Sequence, residues 1–263
     1  ELIRNALDKQ VKKIILCIGG SATVDGGTGA LRALGIRFVD RANNVLTNLP
    51  EDLNHLAAID LSRLDKRIFN CEIVVLCDVE NTLLGEHGAA KIFGPQKGAT
   101  EADVQKLETA LNQFRDIVLQ QTGKDMASIR HGGAAGGIAA SFATLLNAEL
   151  VNGIHYFLDV TGFDKALAEA DLVITGEGSI DEQTLQGKGP YGVAKRAKQK
   201  GVPVIALAGR IPSQENAELK KYFDKMVPIS TEPDIEQAMK RTKEDLTSTA
   251  MQIGNLLNDG LLF

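Results

Sequence analysis

Several large classes of protein are excluded by what this sequence lacks. Its three cysteines, Cys17, Cys71 and Cys77, are odd in number and form no Cys-x-x-Cys pair. That excludes a disulfide framework and a zinc site of ordinary spacing, and leaves three thiols expected to lie buried in or beside apolar stretches. No apolar run approaches the roughly 20 residues that a bilayer-spanning helix needs, and the start Glu1-Leu2-Ile3-Arg4 has no signal-peptide pattern. The expected location is cytoplasmic, with no membrane partner. An excess of positive charge is missing as well: 29 Lys and Arg stand against 34 Asp and Glu, a formal net charge of -5. No basic patch offsets the repulsion of a phosphate backbone, so nucleic acid is not an expected partner. What remains is a chain of 263 residues, long enough to bury about three quarters of its unfolded surface as one large or two modest domains.

Two familiar phosphate-binding signatures are also absent from the most informative stretch, residues 170–190. There an apolar run of strand length empties into a loop with four glycines, three acids, hydroxyls and a lysine, then meets Pro190, suited to the first turn of a helix. A Walker A loop would need glycine where Glu182 stands and Ser or Thr where Gly189 stands. A dinucleotide fingerprint would need glycine at Asp181, and a carboxylate beside a pyrophosphate is repelled unless a metal intervenes. An oxidoreductase of that type is thereby weakened. The loop still has what phosphoryl chemistry asks for: glycines that let backbone N–H groups approach an anion, Lys188 as a cation, and Asp181 or Glu177 to hold Mg²⁺ or accept a proton.

Periodicity predicts helices over 1–10, 30–34 (with Gly35 as its C-terminal cap), 100–122, 138–146, 190–200 and 234–257. Strands are predicted over 14–18, 73–77, 172–175, 202–207 and 226–229. Thr100 with Asp103 resembles a capping box. The alternation of strand and helix implies parallel βαβ units, with a soft domain boundary near Leu158. The chain lacks an initial Met and opens in an amphipathic pattern, Leu2, Ile3, Ala6, Leu7, so a preceding segment is expected.

Asp25, Asp78 and Asp181 each follow an apolar strand, directly or across a short loop. Such an Asp often caps a turn. Three of them among glycine-rich loops equally fit phosphoryl transfer, which needs a carboxylate for Mg²⁺, another to orient or deprotonate the attacking hydroxyl, and donors around the phosphate. Gly19-Gly20-Ser21 and Gly26-Gly27-Thr28-Gly29 can form an anion nest. Lys97 and Lys188 are isolated cations in glycine-flanked loops, whereas Lys195, Lys198 and Lys200 fall on a polar helix face. His131, before a glycine cluster, is either a turn residue or a donor to a substrate carboxylate.

Five segments taken together carry a resemblance: Gly-Gly-Ser-Ala-Thr-Val-Asp-Gly-Gly-Thr-Gly at 19–29, Cys-Asp-Val-Glu-Asn at 77–81, Phe-Gly-Pro-Gln-Lys-Gly-Ala at 93–99, Gly-Ala-Ala-Gly-Gly at 133–137 and Gly-Glu-Gly-Ser-Ile-Asp-Glu-Gln-Thr at 176–184. In order and spacing the chain resembles the bacterial type I glycerate kinases over nearly its whole length. The resemblance implies transfer of the ATP γ-phosphoryl to D-glycerate with Mg²⁺, typically giving 2-phosphoglycerate. It also implies an α/β fold of two domains with a cleft between them. Residues 1–157 would form a distinct mixed α/β domain, and 158–263 the C-terminal half of a Rossmann-like, flavodoxin-like three-layer domain with a parallel sheet. Thr82 departs from the proline usual in the family, and no Pro-Asp-Ser-Phe-Lys segment precedes Glu1, so the chain is expected to lack part of that second sheet. The expected catalytic residues are Asp25, Asp78, Asp181 and Lys188, with Asp181 on the metal. Substrate and nucleotide contacts are expected from Gly19, Gly20, Ser21, Thr23, Gly26, Gly27, Lys97, His131, Gly132, Gly133, Gly176, Glu177, Gly178 and Thr184. The competing expectation is a non-catalytic protein that binds a sugar acid or a partner.

Overall fold

The apolar run at 14–18 becomes a parallel strand in the computed structural model, which describes residues 1–214 and 216–260. After Gly153 the chain divides into two compact units. In chain order the first holds α1 (Leu2–Asp8), β1 (Lys13–Cys17), α2 (Thr28–Ala33), β2 (Arg37–Val39), β3 (Ala58–Asp60), β4 (Glu72–Leu76), α3 (Ala89–Phe93), α4 (Glu101–Thr122), α5 (Ile138–Leu145) and β5 (Glu149–Val151). Strands β1, β4 and β5 form a parallel sheet in the order β1-β4-β5, while β2 and β3 pair antiparallel with Phe38 opposite Ile59. The sequence pattern does not announce β2, β3 or β5, because three residues are too few to display a period of two.

Helix α4 shows how local chemistry and packing agree. The Thr100 hydroxyl accepts from the Asp103 N–H, and the Asp103 carboxylate accepts from the Thr100 N–H, so the capping box is present in both directions. Such caps contribute about 1 kcal/mol. Leu111, Phe114 and Val118 are fully buried at helical spacing, and the Phe114 ring meets Phe38 edge-on with centroids 5.6 Å apart. The helix thereby closes over the β2–β3 pair.

The thiols correct one expectation. Cys77 is buried, and burial pushes its thiol up to about 11, but Cys71 is half-buried and Cys17 is exposed. Strand β1 lies at the sheet edge, and Lys13, Ile15 and Cys17 share its open side while Ile14 faces the core. The sequence shows an apolar run without showing which face it turns outward.

The second unit contains α6 (Gly153–Val160), α7 (Phe163–Leu167), β6 (Val173–Ser179), α8 (Gly189–Gln199), β7 (Val204–Arg210), α9 (Ala217–Lys220), β8 (Lys225–Pro228) and α10 (Ile235–Asn258). The boundary expected near Leu158 falls inside α6. All strands are parallel in the order β6-β7-β8. Residues Val204, Ala206 and Ala208 of β7 join Ala194 and Ala197 of α8 and Phe223 in one core, while Ile205 and Leu207 meet Ile253 and Leu256 of α10 in another. A strand buried on both faces reads as a continuous apolar run, as 202–207 does. Among the described residues no helix is long and apolar enough to cross a membrane.

Candidate active site

In the first unit a hollow of about 210 Å³ opens at the carboxyl ends of β1 and β4, lined by Gly19, Gly20, Ser21, Asp78, Gln96 and Lys97 among others. Open parallel sheets place ligands at that end of their strands. The volume is below the roughly 300–1,000 Å³ of pockets for drug-sized ligands, and suits a small polar molecule. Asp78 is exposed at the end of β4, with Oδ1 accepting the Gly153 N–H at 2.9 Å. The Lys97 ammonium donates to Ser21 Oγ at 2.8 Å and to the Thr23 carbonyl at 2.7 Å. Burial lowers its pKa below that of an ordinary lysine, an effect opposed by the charge of Asp25. Nothing lies within 4 Å of where a Cβ on Gly19 or Gly20 would sit, so the backbone there is open to a ligand.

Asp25 differs. It is buried, and its carboxylate already accepts four hydrogen bonds: Oδ1 from the Thr23 hydroxyl at 3.1 Å and the Gly27 N–H at 3.0 Å, Oδ2 from the Thr28 hydroxyl at 3.2 Å and the Gly29 N–H at 3.1 Å. Those four donors match the lone-pair sites of a carboxylate. With these bonds Asp25 builds the loop and the start of α2. Thr23 serves the same construction through its hydroxyl. Gly26 and Gly27 face Phe114 and Ile138, where an added Cβ would meet side-chain atoms at 2.8 and 2.6 Å.

The turn at 131–137 is likewise a clasp. Asn81 accepts the Gly133 N–H at 2.9 Å, and a Cβ on Gly133 would fall 2.1 Å from the Thr82 carbonyl. His131 places Nδ1 2.7 Å from the Val79 carbonyl, so it holds the segment that follows Asp78, and Gly132 is packed against the Ile129 carbonyl at 2.8 Å from an added Cβ. His131, Gly132 and Gly133, expected to contact a ligand, each make these contacts within the protein. Between the tight glycines, Ala135 is forced to φ 53° and ψ 41° and lines the hollow. Ala134, Ala135 and Gln96 were not singled out from sequence: they lie within the quoted motifs, but their side chains announce no chemistry.

In the second unit a charged cluster closes the end of β6. Glu177 Oε1 accepts the Thr184 hydroxyl at 2.6 Å, the Asp181 N–H donates to Thr184 Oγ1 at 3.1 Å, and Lys188 Nζ lies 3.5 Å from Glu177 Oε2 and 3.7 Å from Asp181 Oδ1. Thr184 is fully buried. Gly176 permits β7 to approach, since a Cβ would sit 2.4 Å from the Leu207 carbonyl, whereas around Gly178 the space is open. Among the described residues no group of three or more His, Cys, Asp or Glu is gathered as a ready-made metal site.

Comparison with known proteins decides the family. The model of the glycerate kinase family matches residues 1–258. The chain belongs to the glycerate kinase family. It is 48% identical over 224 residues to a protein named glycerate kinase from Halalkalibacterium halodurans, covering 85% of this chain and 59% of that one. Over 262 residues it is 37% identical to a protein named glycerate 2-kinase from Escherichia coli, covering 99% of this chain and 69% of the other. A solved structure from Salmonella typhimurium LT2, whose proposed name is glycerate kinase 2, matches with TM-score 0.84 and 41% identity, over 100% of this chain and 68% of that one. The chain thus spans 59% to 69% of these relatives' length. The family match starts at residue 1, and the expected lack of a leading segment is not borne out by it.

Proposed function

We propose that this protein is a cytoplasmic kinase that transfers the γ-phosphoryl group of ATP to D-glycerate, giving 2-phosphoglycerate. The observation that carries the proposal is the small hollow at the ends of β1 and β4, where one exposed carboxylate, Asp78, and one pinned ammonium, Lys97, share the walls with open glycine backbone. Glycerate carries one carboxylate and two hydroxyls, and these are complementary groups. Two of the three Lys97 donors are engaged by Ser21 and Thr23, and the third is assigned to the substrate carboxylate together with N–H groups of the Gly19-Gly20 turn.

Asp78 orients the attacking hydroxyl and accepts its proton as the new P–O bond forms and the bond between the γ-phosphorus and the β-bridging oxygen breaks, releasing ADP. Lys188 neutralises charge on the phosphate oxygens. A cation of the Mg²⁺ class fits the second unit by donor chemistry: Asp181 and Glu177 offer hard oxygens, already close enough to draw the Lys188 ammonium between them. Mg²⁺ is typically held by one or two carboxylates plus substrate phosphates, without a full protein cage. Asp181 would hold it, and when bound it would supply further neutralisation of phosphate charge. The second unit, with its parallel sheet covered on both faces, is assigned to the Rossmann-like domain.

The test is ADP release with Mg-ATP and D-glycerate, followed by phosphorus NMR to identify the product. Formation of 2-phosphoglycerate supports the proposal. Tight binding of glycerate with no turnover would replace it by a non-catalytic binding function, and a 3-phosphorylated product would overturn the assignment of the reacting hydroxyl.

A further inference from the structure

One of the two carboxylates beside Lys188, that of Glu177, is held by a buried hydroxyl. A threonine hydroxyl has a single proton. At Thr184 that proton goes to Glu177 Oε1 at 2.6 Å, and the oxygen in turn accepts the Asp181 N–H at 3.1 Å. The direction of the chain is therefore fixed from the Asp181 amide through the Thr184 hydroxyl to the Glu177 carboxylate, whose other oxygen faces the Lys188 ammonium at 3.5 Å. Backbone bonds brace the same turn, with the Thr184 N–H on the Asp181 carbonyl at 3.0 Å and the Lys188 N–H on the Thr184 carbonyl at 3.3 Å. Where β6 ends, the Ile180 N–H is pinned to the Arg210 carbonyl at 2.9 Å.

The Glu177 side chain is 17% exposed. Swinging Glu177 away from Lys188 would break its short charge-assisted hydrogen bond with Thr184 and leave a buried hydroxyl without its acceptor. We propose that Thr184 and Glu177 are positioning residues that fix the Lys188 ammonium. This deepens, and rests on, the kinase proposed above. It assigns Thr184 an action through Glu177 in place of contact with the nucleotide.

The test compares Thr184→Val, which keeps shape and removes the hydroxyl, with Thr184→Ser, which restores it, and with Glu177→Gln. Three readouts are taken on the whole protein: hydrogen exchange of the Asp181 amide by NMR, acetylation of Lys188 by acetic anhydride relative to Lys195 by mass spectrometry, and kcat with KM for D-glycerate. For Thr184→Val the Asp181 amide loses protection, Lys188 labels about fivefold faster or more, and kcat falls about 10- to 100-fold with KM little changed, as expected when a reacting group is displaced by a fraction of an ångström. Thr184→Ser returns all three toward the original values. Glu177→Gln accelerates labelling of Lys188 and lowers kcat while the Asp181 amide stays protected. The proposal is overturned if Thr184→Ser is as impaired as Thr184→Val, which would mean packing alone. It is equally overturned if Glu177→Gln leaves both the labelling of Lys188 and kcat unmoved, a result that stands even should Thr184→Val fail to fold. Absence of phosphoryl transfer in the unsubstituted protein would remove the kinase reading, while exchange and labelling would still decide whether the lock exists.

Discussion

The loop that follows β1 and the loop that follows β6 are built from the same residue types and reach opposite outcomes. Each leaves a parallel strand and carries glycines, a hydroxyl and an aspartate. After β1 the aspartate turns inward, where Asp25 gathers two backbone N–H groups and two hydroxyls, and the associated lysine, Lys97, is held by neutral oxygens of Ser21 and Thr23. After β6 the carboxylates of Glu177 and Asp181 hold Lys188 themselves. Asp25 is saturated by donors of its own loop, whereas Glu177 divides its carboxylate between the Thr184 hydroxyl and the Lys188 ammonium. A saturated carboxylate stabilises a fold; one that holds an ammonium can exchange it for another cation.

The contrast breaks most visibly at Lys188. Lys188→Ala should cost about 3 to 4 kcal/mol of transition-state stabilisation, roughly 10²- to 10³-fold in kcat. Steady-state rates check it, and a loss below about threefold with the fold intact would make Lys188 an ordinary surface lysine.

Next in size is the separation of Asp25 from Asp78. Removing the Asp25 carboxylate orphans donors in a buried loop, so Asp25→Ala should lower unfolding free energy by about 3 kcal/mol, whereas Asp78→Ala should lower it by less than about 1 kcal/mol and act on kcat instead. Urea denaturation of both variants measures this. Equal stability losses would erase the distinction between the two acids.

A smaller effect sharpens the role of the exposed carboxylates. Asp181→Asn should raise the Mg²⁺ concentration for half-maximal rate severalfold, and Asp78→Asn should depress kcat with little change in that titration. A reversed pattern would move the cation to the first unit.

How much of this was legible in the sequence depends on how local each feature is. The helix over 100–122 and its Thr100–Asp103 box declare themselves because a cap and its partner are three residues apart. The run at 202–207 reads as a strand because burial on both faces writes an apolar run. Asp25, by contrast, has the same sequence context as Asp78 and Asp181, and its saturation appears only once the chain curls so that the Gly27 and Gly29 amides point back. The glycines at 132 and 133 carry no sign in the sequence that the Thr82 carbonyl approaches Gly133 from another segment. The exposure of Cys17 depends on β1 being an edge strand, a property of the whole sheet. Residue type showed which segments matter; contacts within the fold decided which of their atoms are engaged inside the protein.

The smallest expected effect concerns Lys97. Burial lowers its pKa below the ordinary lysine value, with Asp25 acting in the opposite direction. If its ammonium binds the substrate carboxylate, activity is full while it is protonated and falls as pH rises through that lowered pKa, earlier than for a lysine in water. Arginine stays charged throughout the accessible range, so Lys97→Arg should remove this alkaline limb from the kcat/KM profile even where the altered shape lowers the plateau. Stability carries the opposite sign. Between the lowered pKa and the ordinary one the unfolded chain binds more protons at this residue, so its contribution to stability rises with pH across that window, and Lys97→Met should flatten the rise. An alkaline limb that persists unchanged in Lys97→Arg would assign the titration to another group, and would leave Lys97 as a brace for Ser21 and Thr23, placing the first loop wholly on the structural side of the comparison.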